Sequence, residues 1–217
     1  MHRILAFPGL QLAAAIVYRE DIDEKRYKAD PAQWPYTFPY QNYPGDDGWS
    51  CAATMISKRH AITAAHCFDE ETADEFNVVI DKETYRVIET RLHPCFSFNS
   101  EGWDPVSADM AILVLDRDIA ARTGYVDVYN PDPDTGYGSE IGKKFTLMGW
   151  GGYGPMGEEP SRAGEFHAGE NVWERIESGM LVYSMDSQAN GGLELEALAW
   201  DGDSGGPALI EVSPGVQ

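Results

Sequence analysis

The chain has 217 residues, of which 43% are apolar, so it can bury a full core and does not have a disordered composition. Its 36 acidic and 16 basic residues give a formal net charge of -20. Nucleic acids and anionic membranes would repel such a chain at long range, and no apolar run approaches the roughly 20 residues of a membrane-spanning helix. The composition therefore argues against nucleic-acid and membrane partners.

Residues 1–15 are predicted to form a short secretory signal peptide. The segment has a basic start, an apolar stretch and an alanine run at 13–15, which together indicate cleavage after Ala15. Pro8 and Gly9 interrupt the apolar stretch, so a trimmed or wrongly assigned start is the alternative interpretation. The first interpretation places the protein outside the cell.

From about residue 47 onward, short apolar runs alternate with Gly, Pro, Asn and Asp, which predicts strands and turns. The first series of predicted strands is "WSCAATMISK", "RHAITAAHCF", "FNVVID", "TYRVIETRLH" and "MAILVLD". The second series is "KFTLMGW", "ERIESGMLVYSM", "LELEALAW" and "GPALIEV". The polar segment "VYNPDPDTGYGSEIGKK" between them is the predicted linker, so the pattern indicates two all-β units.

The chain has three cysteines. Cys51 and Cys67 flank an apolar stretch of the kind that forms neighbouring strands, and an oxidised pair there is compatible with a secreted chain. Cys95 is then predicted to be a partly buried free thiol, with an intermolecular disulfide as the alternative. Because the histidines and cysteines lack the close spacing of metal ligands, we expect neither a metal nor a cofactor.

The stretch "WDGDSGGPALI", residues 200–210, is predicted to present a reactive serine. Its glycines admit backbone angles that are closed to other residues and let the chain approach its surroundings closely. The stretch therefore indicates a tight turn that exposes the hydroxyl of Ser204. Such a hydroxyl becomes a nucleophile only if a base stands beside it.

His66, in "ITAAHCF" at the end of a predicted strand, is the candidate base, since imidazole titrates near neutral pH. Asp109, at the start of the apolar strand in "SADMAILVLD", is the candidate carboxylate that orients it. Taken singly, a packed core histidine and a turn or cap aspartate are the ordinary interpretations. Together with Ser204 they form a constellation in the order His, Asp, Ser.

Four motifs make the chain resemble the chymotrypsin/trypsin family of serine proteases. They are "TAAHC" at 63–67, "DMAIL" at 109–113, "GWG" at 149–151 and "GDSGGP" at 202–207. The resemblance implies an all-β fold of two packed antiparallel six-stranded β-barrels. It also implies a disulfide between Cys51 and Cys67.

The resemblance assigns a barrel to each half of the chain. Residues 16–120 would form the N-terminal barrel that carries the histidine and aspartate, and residues 121–217 the C-terminal barrel that carries the serine. Only thirteen residues follow Ser204, fewer than in the family. We therefore expect the second barrel to be incomplete, with an open edge, and the activity to be low.

The family's roles transfer to the matching residues as expectations. Ser204 would attack the scissile carbonyl, His66 would act as base and then acid, and Asp109 would orient His66. The backbone N–H groups of Gly202 and Ser204 would form the oxyanion hole. The resemblance implies a monomeric endopeptidase that forms an acyl-enzyme with polypeptide substrates and is open to protein inhibitors.

Activation and specificity are also expectations from the resemblance. Asp203 would pair with a new α-amino group at Ile16, although Tyr18-Arg19 follow where the family has paired glycines. Leu198 or Ala199 would form the base of the specificity pocket, which favours an apolar or small residue before the cut and disfavours Lys or Arg. Trp200 stands where the family usually has a cysteine.

Two other functions fit the sequence less well than a protease. A protease-fold binding module or inactive fragment is the alternative. Such relatives usually lose one of the three catalytic residues, whereas this sequence keeps the histidine, the aspartate and the serine. An α/β-hydrolase esterase would share the pattern G-x-S-x-G at 202–206. It requires the order Ser, Asp, His and a helix after the serine, which this sequence does not have.

Overall fold

A computed structural model describes residues 2–4, 14–41, 51–68, 76–99, 102–103, 108–130, 138–158, 164–177 and 179–211. These residues form eighteen strands and four short 3-10 helices, and no α-helix occurs among them. The 3-10 helices span Glu24–Arg26, Pro31–Gln33, Ala65–Cys67 and Gln188–Asn190. No helix of the described part is long and apolar enough to cross a membrane. The prediction of an all-β fold is confirmed.

The strands of the first half are β1 (His2–Ile4), β2 (Ala14–Tyr18), β3 (Thr37–Tyr40), β4 (Cys51–Met55), β5 (His60–Thr63), β6 (Phe76–Ile80), β7 (Glu83–Leu92), β8 (Phe98–Asn99), β9 (Gly102–Trp103) and β10 (Ala111–Leu115). Those of the second half are β11 (Asp127–Val128), β12 (Lys144–Gly149), β13 (Gly154–Pro155), β14 (His167–Val172), β15 (Arg175–Glu177), β16 (Met180–Val182), β17 (Ala197–Trp200) and β18 (Ala208–Glu211).

Six antiparallel strands of the first half form one sheet in the order β3-β4-β5-β10-β7-β6. The edge strands β3 and β6 also contact each other, so the sheet nearly closes into a barrel. Alternation of side chains decides which face is inside: Val78 is 2% exposed, whereas its neighbour Val79 is 54% exposed. The inward set includes Phe38, Tyr40, Met55, Ile80, Tyr85, Leu113 and Leu115.

A disulfide joins Cys51 to Cys67 inside this first core, which confirms the expected pairing. It ties the beginning of β4 to the 3-10 helix that follows β5. Cys95 is a free thiol and is exposed, so its predicted partial burial is wrong. The reason is its place in a turn after β7, where its N–H donates to His93 Nδ1 outside the core.

Replacing Cys51 and Cys67 together by alanine is expected to lower the free energy of unfolding by about 3 kcal/mol. The bond closes a loop with a sequence separation of 16, and a loop of that size constrains the unfolded chain by about this amount. Urea unfolding in a Ser204→Ala background, which prevents self-cleavage, measures the change. Cys95→Ala is the matched control, and a double variant as stable as this control would contradict the prediction.

The second half forms a five-stranded sheet, β11-β1-β18-β12-β14, and a three-stranded sheet, β13-β2-β17. Both sheets contribute to one apolar cluster whose largest members are Tyr18, Tyr27, Phe145 and Trp173. Phe145 stacks on Trp173, with ring centroids 4.1 Å apart. Two short hairpins, β8-β9 and β15-β16, stand apart from these sheets. Residues 131–137, in the middle of the predicted linker, lie outside the described residues.

The N-terminal segment contributes two strands to the second half. β2 pairs antiparallel with β17, and its residues Ile16, Val17 and Tyr18 are buried. β1 pairs antiparallel with β18, whose other neighbour is β12, so β18 is not an edge strand in the described part. The open edge expected of the second barrel stays a prediction. A cut after Ala15 would divide β2 and detach β1. The signal peptide stays a prediction, and residues 5–13 lie outside the described residues.

Candidate active site

Three separate segments meet at one point between the two halves of the chain. His66 lies in the 3-10 helix that follows β5, and Asp109 lies just before β10, which pairs with β5. Ser204 lies in the turn between β17 and β18. Because β5 and β10 are neighbouring antiparallel strands, the end of one and the start of the other stand at the same edge of the sheet.

The three side chains form a continuous chain of hydrogen bonds. His66 Nδ1 lies 2.6 Å from Asp109 Oδ2, and His66 Nε2 lies 2.9 Å from Ser204 Oγ. The backbone N–H of His66 also donates to Asp109 Oδ1 over 2.8 Å. A carboxylate only accepts, so Nδ1 carries the proton and the Nε2 lone pair faces the hydroxyl. The Asp109 side chain is 1% exposed and that of His66 is 22% exposed.

The serine turn is fixed directly onto the first barrel. The backbone N–H of Ala52 donates to the carbonyl of Ser204 over 2.7 Å, and Thr63 Oγ1 donates to the carbonyl of Ala52. Tyr40 OH lies 2.9 Å from Thr63 Oγ1. Gly205 has φ +79°, and a Cβ on it would stand 2.2 Å from Thr63 Oγ1 and 2.3 Å from the Ala52 carbonyl oxygen. Only glycine allows this contact.

Asp203 is buried beside the serine, and the motif "GWG" makes room for it. Gly151 N–H donates to Asp203 Oδ1 over 2.9 Å, and a Cβ on Gly149 would stand 1.7 Å from that same oxygen. Asp203 Oδ2 has no hydrogen-bond partner among the residues that the structure describes. Burial raises the pKa of Asp203 to about 7. A small cavity beside it is bordered by Phe145, Trp173, Tyr183 and Ala199.

Asp203→Asn is expected to stabilise the chain at alkaline pH and not at acid pH. Because the pKa of Asp203 in the folded chain is about 7, above the usual 3.8, the folded state holds the proton more tightly than the unfolded state. Its contribution to stability is therefore full below about pH 4 and is lost as pH rises through about 7. The loss is on the order of 4 kcal/mol, since one pKa unit corresponds to about 1.4 kcal/mol.

Urea unfolding of Ser204→Ala chains with and without Asp203→Asn, near pH 4 and near pH 8, measures this difference. Asp118→Asn, at an exposed position, is the matched control and should leave the pH dependence unchanged. If Asp203→Asn changed the free energy of unfolding by the same amount at both pH values, the pKa of this carboxyl would not differ between the folded and unfolded chain. The prediction would then be wrong.

The structure places Ile16 inside β2 as a buried strand residue. Leu198 and Ala199 lie in β17; Leu198 pairs with Val17 of β2, and Ala199 borders the cavity beside Asp203. Gly202 has φ +103°, which sets the bend that leads into the serine turn. The roles in activation, specificity and oxyanion binding stay predictions.

Sequence reasoning did not find the contacts that support the site. Tyr40 and Thr63 are far from the serine in sequence, and although Thr63 opens the motif "TAAHC", neither residue was expected to contact the serine turn. The buried Thr63, at the end of β5, is the one signal that was available, because a polar side chain there needs a partner.

Known proteins match most of the chain. The family model Trypsin matches residues 25–214. Granzyme-like protein 1 from Rattus norvegicus is 27% identical over 195 residues, which cover 85% of this chain and 75% of that protein. Chymotrypsin from Phaedon cochleariae is 25% identical over 179 residues, covering 68% of this chain and 62% of that protein. Spermosin from Halocynthia roretzi is 29% identical, but the match spans only 35% of it.

A solved structure agrees with the fold. Neuropsin, described as a serine protease expressed in the limbic system of mouse brain, superimposes with a TM-score of 0.63. The superposition covers 85% of this chain and 81% of that one, at 19% identity. Since the family model also spans most of the sequence and the serine, histidine and aspartate meet, the chain belongs to the trypsin family of serine proteases.

Proposed function

We propose that the chain is a serine endopeptidase that cleaves polypeptides through an acyl-enzyme on Ser204. The observation that carries this proposal is the unbroken chain of hydrogen bonds from Asp109 through His66 to the Ser204 hydroxyl. A hydroxyl is a weak nucleophile until a base accepts its proton, and here Nε2 is in position to accept it. No cofactor takes part in this chemistry.

The proposed reaction has two halves. Ser204 Oγ attacks the scissile carbonyl carbon as its proton passes to His66 Nε2, and the imidazolium then gives that proton to the leaving amine. In the second half the oxygen of a water molecule attacks the ester carbon as one of its protons passes to His66. The bond from that carbon to Ser204 Oγ then breaks, the imidazolium returns the proton to Oγ, and the carboxylic acid product leaves. The Asp109 side chain is buried and accepts two hydrogen bonds from His66. It stabilises the imidazolium without taking the proton.

The negative oxygen of each tetrahedral intermediate would be held by the backbone N–H groups of Gly202 and Ser204. The support for this is the positive φ of Gly202, which turns the chain two residues before the serine. Losing one such donor typically lowers turnover about 10²–10³-fold. The contact between Ser204 and Ala52 fixes the same turn, so these donors need little rearrangement during the reaction.

The proposed substrate side chain before the cut is apolar or small. Leu198 and Ala199 offer no carboxylate for Lys or Arg, and Trp200 beside them is 48% exposed. We also propose that the protein is secreted, since the disulfide between Cys51 and Cys67 is typical of an oxidising compartment. The partners are then polypeptide substrates and protein inhibitors.

The test is cleavage of an unfolded protein substrate by the full chain, with the new peptide ends identified by mass spectrometry. Ser204→Ala should abolish the cleavage. Ser57→Ala is the matched control, because Ser57 Oγ also contacts a histidine, His60 Nδ1 at 2.8 Å, but in a turn where it accepts from backbone N–H groups. A folded chain that cleaves nothing would favour the protease-fold binding module instead.

A further inference from the structure

Three potential metal ligands from two distant segments of the sequence meet on the second half of the chain. They are Glu24, in the first 3-10 helix, Glu165, and His167 at the start of β14. One ligand atom of each lies within 4.8 Å of the others. None of the three takes part in the proposed active site, and nothing in the sequence indicated that Glu24 lies beside the other two.

His167 is the residue that sets this cluster apart from a surface ion-pair group. It is 1% exposed, and its Nδ1 donates to the backbone carbonyl of Glu165 over 3.1 Å, so Nε2 keeps its lone pair. Nε2 is buried and has no hydrogen-bond partner among the residues that the structure describes. Tyr153 stacks on the ring at 4.2 Å and fixes its orientation.

This arrangement is the one that metal-binding histidines use. One ring nitrogen donates to a carbonyl, which selects the tautomer, and the other is free to coordinate. An unpartnered nitrogen in a buried position costs stability unless something occupies it.

The two carboxylates supply negative charge on the exposed side of the cluster. Glu165 Oε2 lies 2.6 Å, and Glu24 Oε1 3.1 Å, from the ammonium of Lys28. Two carboxylates against one ammonium leave the group with a net negative charge. Lys28 therefore neutralises only part of this negative charge, and His167 Nε2 keeps no hydrogen-bond partner among the described residues.

We propose that Glu24, Glu165 and His167 bind a divalent cation of the zinc type. A mixed set of one imidazole and two carboxylates suits Zn²⁺ in a tetrahedral site whose fourth ligand is water. Mg²⁺ and Ca²⁺ prefer sites made of oxygen alone, so they fit less well. Lys28 competes with the metal for the two carboxylates and moves aside when it binds.

The metal would fasten the segment around Glu24 to β14. The backbone already connects them, since Ala168 N–H donates to the Tyr27 carbonyl and Ala29 N–H to the Phe166 carbonyl. A metal that binds the folded state alone raises its stability by mass action. The expected role is thus structural, and Zn²⁺ should raise the unfolding temperature.

The test is isothermal titration calorimetry of the full chain carrying Ser204→Ala with Zn²⁺, together with thermal unfolding. We expect one saturable site, which Glu24→Gln weakens about tenfold or more. Glu24 lies at a partly exposed position, so this variant should fold normally. His167→Gln should remove the site, and Lys28→Met should tighten it because the competing ammonium is gone.

His93→Gln, on the first barrel, is the matched control and should bind like the parent chain, and Mg²⁺ should not compete. Absence of a saturable site in the folded parent chain would overturn the proposal. Binding that Glu24→Gln leaves unchanged would also overturn it, since the metal would then be held elsewhere on this acidic surface. Equal or weaker binding by Lys28→Met would contradict the proposed competition.

Discussion

Asp109→Asn is expected to lower peptide turnover about 10⁴-fold while the chain stays folded. Asp109 accepts two hydrogen bonds from His66, one from the backbone N–H and one from Nδ1. An asparagine keeps the size of the side chain, but an amide NH₂ facing Nδ1 forces the proton to Nε2. The imidazole then presents a donor to Ser204 instead of a base, and it loses the charge that stabilises its cationic form.

Steady-state kinetics on a peptide substrate, normalised to the parent chain, measures this loss. Asp118→Asn makes the same chemical change at an exposed position and should keep full turnover. Circular dichroism confirms that both variants are folded. Turnover of Asp109→Asn within about tenfold of the parent would mean that the Asp109 carboxylate does not orient His66 for catalysis. The proposed mechanism would then be wrong.

Gly205→Ala is expected to lower the free energy of unfolding by about 3 kcal/mol or more and to abolish turnover. Two effects add. The backbone at Gly205 is left-handed, which costs a residue with a Cβ about 1–2 kcal/mol. The new Cβ would also stand 2.2 Å from Thr63 Oγ1 and 2.3 Å from the carbonyl oxygen of Ala52, so the serine turn must move off the first barrel.

Gly124→Ala separates the two effects. Gly124 has a similar φ, +67°, but a Cβ there would meet nothing within 4 Å. Its variant should lose only the backbone contribution, about 1–2 kcal/mol, and should keep its turnover. Urea unfolding and turnover of the two variants are compared directly. Equal losses would mean that the close approach of the serine turn to Thr63 and Ala52 adds nothing.

The first barrel was largely predictable because its strands carry their own pattern. β10 is a continuous apolar run, and β6 and β7 alternate between buried and exposed residues, so length and periodicity indicate strands. The motif around His66 and the one at Asp109 lie at the ends of such strands. Strand pairing then brings their side chains together, which spacing alone could not establish.

The second half was less predictable because polar and small residues occupy inward positions. In β14 the buried positions are His167, Gly169 and Asn171, which hide the alternation that would mark a strand. Gly169 is there because a Cβ would stand 2.4 Å from Ala197 Cβ, and Asn171 Nδ2 donates to the carbonyls of Ser184 and Ala197. Such requirements arise from neighbours distant in sequence.

The N-terminal strands were missed for a different reason. An apolar segment near the start of a chain suggests a signal peptide, and nothing local distinguishes that from the strand Ala14–Tyr18. In β3 the proline Pro39 argues against a strand, yet among the described strands β3 pairs only with β4, and an edge strand tolerates proline. Activation at Ile16 would require this buried strand to be cut and rearranged.

The central claim is that the His66 imidazole activates the Ser204 hydroxyl. The rate at which a fluorophosphonate labels Ser204 tests it most directly, with the labelled residue identified by peptide mass mapping. We expect rapid labelling of the parent chain and of His60→Ala, and labelling slowed about 10⁴-fold or more in His66→Ala. Labelling of Ser204 at the parent rate in folded His66→Ala would contradict the claim.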